Sequence, residues 1–84
     1  MNDTVDWTDD AVEGLAAAWI QASDRQAVTR AQMEIDRLLV ADPQGNSVPV
    51  AEGLFTLDVH PLHVQIEISE VDRVVSVVSV RLVA

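Results

Sequence analysis

Apolar and polar positions change rhythm several times along the chain, and each change marks an element. Thr4 to Trp7 alternates polar and apolar, which predicts a short strand. Thr8-Asp9-Asp10 then reads as a helix start, with Thr8 as N-cap and two carboxylates where the helix dipole favours negative charge. Trp7 and Val12 stand at the positions of a hydrophobic staple. Val12, Leu15, Ala16 and Trp19 recur at helical spacing, widened by Ile20, and predict one buried stripe. Ser23-Asp24-Arg25-Gln26 fits a capping box with Ser23 as cap. Val28, Ala31, Ile35, Leu38 and Leu39 form the stripe of a second helix, with Arg30, Glu34 and Arg37 on its solvated side. Pro43 ends it, because the residue before a proline avoids the helical region. So short a link between the helices predicts an antiparallel hairpin.

The second half of the chain reads as strands. Gly45, Asn46, Ser47 and Pro49 make 44–53 a loop. Phe55, Leu57 and Val59 alternate with Thr56 and Asp58, and His60-Pro61 makes a turn. Leu62, Val64, Ile66 and Ile68 then alternate with His63, Gln65 and Glu67, giving a hairpin with one dry face and one wet face. After a turn at 70–73, Val74 to Val83 is apolar on both faces, so it belongs inside a sheet. The pattern predicts an α+β domain spanning 1–84, of order β-α-α-β-β-β. A helical hairpin lies on one face of a four-stranded antiparallel sheet, with strands in the order 1-4-3-2.

Composition narrows the partners. The net charge is −9, from 14 acids against five arginines and no lysine. Nucleic-acid binding draws on a dense basic patch, so direct contact with RNA or DNA is not expected, nor is an anionic membrane. Without cysteine there is no disulfide framework and no thiolate metal site. Met1-Asn2-Asp3-Thr4 lacks the basic flank and apolar core of a signal peptide, and the cytoplasm is the expected compartment.

Candidate chemistry is sparse. His60 and His63 lie near Asp58, but a turn and an alternating strand do not aim the three together, so turn and solvent-face histidines are the simpler reading. Glu67, Glu70 and Asp72, like Asp3, Asp6, Asp9 and Asp10, lack calcium-loop spacing and read as solvated surface. Trp7 and Trp19 could stack on bases, but their register favours core packing. Arg81 shares its alternation with Val75 and Val77 and is either a snorkelling strand end or a functional cation. No nucleophile constellation and no glycine-rich phosphate loop is present, so neither a cofactor nor a metal is expected.

Taken in order, these pieces resemble the RelE/ParE toxin family of type II toxin–antitoxin modules. The likeness runs from Trp7-Thr8 entering the first helix to Ala31–Pro43 (Ala-x3-Ile-Asp-x-Leu-Leu-x2-Asp-Pro). It continues with Gly53-Leu54-Phe55-x-Leu, Leu62-x-Val-x-Ile-Glu-Ile and the closing Asp72-Arg73-Val-Val-x-Val-Val-x-Val. The resemblance implies a toxin fold, an antitoxin or other protein partner, and either metal-independent messenger-RNA cleavage on the ribosome or poisoning of gyrase. Cleavage in the family uses strand-borne arginines or lysines with a tyrosine, glutamate or histidine. Thr56 and Asp58 stand where the family commonly carries basic residues, His63 occupies a common arginine position, and there is no tyrosine. The catalytic residues that could carry over are His63, as an acid–base group, and Arg81, as the cation. The expectation is a toxin-family domain acting through protein binding, with ribonuclease activity lost or weak. The alternatives are a weak ribosome-dependent endoribonuclease built on His63 and Arg81, and a small acidic oligomerisation or adaptor module.

Overall fold

The structure, a computed structural model, describes residues 4–83; Met1, Asn2, Asp3 and Ala84 lie outside them. The elements are β1 (Thr4–Trp7), α1 (Asp9–Gln21), α2 (Arg25–Ala41), β2 (Val48–Ala51), β3 (Leu54–Val59), β4 (Leu62–Ser69) and β5 (Val74–Leu82). They build one five-stranded sheet in the order β1-β5-β4-β3-β2. The four expected strands keep their expected order, with β5 between its hairpin partner and β1.

Two details of the sheet differ from the sequence reading. The segment read as a loop contains β2, an edge strand antiparallel to β3. Pro49 lacks an N–H, which an edge strand tolerates, and this is why the stretch resembles a loop. The sheet is also mixed, because β1 runs parallel to β5. The reason lies at Thr8. A one-residue link cannot reverse the chain, so α1 leaves β1 in the same direction along β5. Thr8 N donates to Val77 O, and Gly14 six residues later sits beside Val80 O. The return is made by α2, and the up-down-up run of β3, β4 and β5 then ends parallel to β1.

Thr8 is the N-cap of α1, its hydroxyl accepting from Ala11 N at 3.2 Å. The second cap lies one residue later than the capping-box pattern suggests. Asp24 accepts from Ala27 N at 3.1 Å, a carboxylate at the positive end of the dipole. Val28, Ala31, Ile35 and Leu39 of α2 are buried as expected and meet Leu57, Leu62, Val64, Ile66, Val75, Val77 and Val80 of the sheet.

Helix α1 is rotated from the expected stripe. It buries Ala11 and Ala18, while Val12, Trp19 and Ile20 remain 52%, 44% and 66% exposed. Gly14 explains the choice. A Cβ there would stand 2.3 Å from Val80 O, so the backbone of α1 rests directly on β5 through its small residues. Close approach by Ala11, Gly14 and Ala18 throws the large residues outward. Trp7, instead of stapling Val12, donates its indole N–H to Asp36 Oδ1 at 2.7 Å, tying β1 to α2.

Candidate functional site

The helices cover one face of the sheet, and the other face is open. Directly opposed residues on neighbouring antiparallel strands share a face, so the register assigns its side chains. Asp58 pairs with His63, and His63 with Arg81. The next outward row is Thr56, Gln65 and Ser79, and beyond it lie Leu54, Glu67 and Ser76. Asp6, opposite Ser76, extends the last row onto β1.

Arg81 therefore lies opposite to where simple alternation puts it. Gln65 pairs with Ser79 while Ile66 pairs with Val77, which leaves Val78 as an extra residue in β5. Such a bulge shifts the alternation by one. Val75 and Val77 point inward before it and Val80 points inward after it, all buried. Arg81 is outward and exposed, beside His63. The doublets Val74-Val75 and Val77-Val78, read from the sequence as apolar on both faces, accommodate this slip.

The structure brings both candidate catalytic residues together and adds a third. His63 Nδ1 contacts Asp58 Oδ1 across β3 and β4. A carboxylate only accepts, so Nδ1–H is the donor and Nε2 is the nitrogen left to accept. His63 is half-buried and Asp58 well exposed. The row thus holds a carboxylate, an imidazole oriented by it, and a guanidinium. The sequence placed Asp58 near His60 and His63 without aiming the three together; the β3–β4 register does aim two of them, Asp58 and His63, and leaves His60 out. His60 stays in the turn beside cis-Pro61, exposed. Among the described residues, no three His, Cys, Asp or Glu side chains converge as metal ligands.

Around this row the outer face is acidic. It carries three carboxylates, Asp58 in the row of Arg81 and Asp6 and Glu67 farther along the strands, against Arg81, the sole cation the strand registers place there among the described residues. Farther along, a shallow cleft of about 660 Å³ is lined by Glu52, Leu54, Glu67, Asp72 and Ser76. Trp19, expected in the core, lies instead in an apolar groove of about 470 Å³ between α1 and α2, with Val12, Leu15, Ala16, Ile20 and Val28. The Arg25 guanidinium stacks over its ring at 4.5 Å, and Arg25 Nε donates to Trp19 O. No helix is long and apolar enough to cross a membrane, among the described residues.

The sequence matches no protein-family model, and no curated protein matches it. Solved structures do match in fold. A chain of the toxin–antitoxin complex RelBE2 from Mycobacterium tuberculosis superposes with a TM-score of 0.80 at 15% identity, covering 98% of this chain and 99% of that one. A chain of the chromosomal ParDE toxin–antitoxin system from P. aeruginosa gives 0.71 at 16% identity, covering 98% and 97%. A mutant of the E. coli toxin RelE in the free state gives 0.66 at 13% identity, covering 98% and 84%. From first strand to last, the chain has a RelE/ParE-like toxin fold.

Proposed function

We propose that this chain is a toxin-fold domain of a toxin–antitoxin-type system that acts by binding protein, with ribonuclease activity weak or lost. The observation that carries the reading is the charge of the outer sheet face, which sets the three carboxylates Asp6, Asp58 and Glu67 against one cation, Arg81. Phosphodiester cleavage needs donors preorganised around developing negative charge. An acidic sheet on a chain of net charge −9 repels the phosphates it would have to gather. Structural neighbours that come from RelBE2 and ParDE toxin–antitoxin assemblies make an antitoxin-type protein the natural partner.

One observation favours a second reading, a weak, metal-independent, ribosome-dependent messenger-RNA endoribonuclease. Asp58 engages Nδ1 of His63 and leaves Nε2 as the acceptor, and Arg81 lies opposite on the adjoining strand. In that reading Nε2 takes the proton of a ribose 2′-hydroxyl as its oxygen attacks phosphorus. Arg81 donates to the phosphorane oxygens, and His63 returns the proton to the departing 5′-oxygen.

Induced expression in a bacterial host, with message ends mapped by primer extension, separates the two. Protein binding predicts no codon-phased cuts, whether or not growth arrests. Codon-phased cuts that vanish in both His63→Ala and Arg81→Ala would establish the ribonuclease and sink the leading proposal.

A further inference from the structure

We infer that the exposed face of the α1–α2 hairpin is a contact between two copies of this chain, packed antiparallel about Ala16. This goes beyond the functional reading above and does not depend on it, since the face lies across the molecule from the Asp58–His63–Arg81 row.

The starting observation is that Val12, Trp19 and Ile20 are exposed on a small, highly charged protein. A contiguous apolar patch of this kind marks an interaction site more often than ordinary surface. Its pattern is self-complementary. Val12, Ala16 and Ile20 recur every fourth residue along α1, with the small side chain in the middle and larger ones at each end. Two such helices laid antiparallel set Ala16 against Ala16, where small residues permit close approach, and Val12 against Ile20 at both ends.

Charge follows the same symmetry. The N-terminal half of α1 carries Asp9, Asp10 and Glu13, and the opposite end of the hairpin carries Arg25, stacked on Trp19. An antiparallel two-fold brings Asp9 and Glu13 of one copy to the level of the partner's Arg25, twice. A parallel arrangement would set like charges together instead.

The contact is a modest one. At 1.5 Å per residue α1 is about 20 Å long, and two adjacent helices present about 20 Å of width. Roughly 400 Å² per copy, about 800 Å² in all, lies below the 1,200 Å² or so of a stable interface. The association is therefore weak. It is also opposed by the net charge of −9 on each copy. Salt screens that long-range repulsion while leaving apolar contact in place, so the dimer strengthens from 50 to 300 mM salt. A contact made with a basic partner would weaken instead.

Sedimentation equilibrium of the full chain from about 10 to 500 µM, at both salt concentrations, reads this directly. The expected result is a weight-average mass that rises toward twice the monomer, further at high salt. Ile20→Glu should hold the mass at the monomer value, while Ile20→Leu preserves the rise. Circular dichroism and the urea midpoint serve as the folding control, and both should be unchanged at so exposed a position. A chain that stays monomeric at 500 µM and 300 mM salt overturns the inference. So does association that Ile20→Glu leaves intact, or that weakens on adding salt.

Discussion

Gly14 decides how α1 lies on the sheet. Its missing Cβ lets the helix backbone touch Val80 O, and every side chain of α1 is turned by that contact. Gly14→Ala would gain helix propensity yet force the helix off β5, and overpacking of this kind costs about 1–3 kcal/mol. A urea melt should show the loss; an unchanged midpoint would mean the contact is not needed. The rotation was only half legible in the sequence. Large apolar residues at helical spacing advertise a buried face, and Ala11, Gly14 and Ala18 advertise a closely packed one. Both stripes are present, and which is buried depends on the neighbour. Trp7 teaches the same lesson, since its register predicts burial but its indole N–H requires an acceptor. Asp36 supplies one at 2.7 Å. Trp7→Phe should cost about 1–2 kcal/mol by chemical denaturation, with a smaller loss for Asp36→Asn, which keeps an acceptor. A loss from Trp7→Phe with none from Asp36→Ala, which removes the acceptor, would argue that ring packing, not the hydrogen bond, joins β1 to α2.

Among the elements, α2, β3 and β4 are where sequence pattern and structure agree most closely. Each has a single periodicity, and one partner surface satisfies it. Val28, Ala31, Ile35 and Leu39 of the expected stripe are buried, as are Leu62, Val64 and Ile66 of the dry row of β4, with Leu38 and Ile68 partly buried against them. Elements with competing signals came out differently. Pro49 and its neighbours hide β2, because breakers and edge strands share a vocabulary. In β5 the bulge at Val78 reverses the face of everything after it. A period-two reading carried through the strand therefore places Arg81 beside Val75 and Val77, when it belongs with His63. The candidate site depends on that one extra residue: without the slip, Arg81 would point at the core and no row would form. His63 and Arg81 could be singled out from the sequence; that they are neighbours, and that Asp58 joins them, are facts of register.

At the scale of the molecule, two faces have opposite characters. One carries helices whose outer side is apolar between α1 and α2. The other is an open sheet whose outward rows carry the carboxylates Asp6, Asp58 and Glu67 against one guanidinium, Arg81. The fold is like that of RelE and ParE toxins, and the net charge of −9 is unfavourable to binding a polyanion. Composition alone exposed this tension, and the structure sharpens it by placing three carboxylates and one arginine on the open face of the sheet. The most direct test is RNA affinity itself, measured by fluorescence anisotropy with a labelled single-stranded 20-mer at 50 mM salt, where phosphate contacts are strongest. The account predicts no saturable binding up to about 100 µM chain. Binding at or below about 10 µM that weakens steeply with added salt would show that the sheet gathers phosphates after all, and would contradict it.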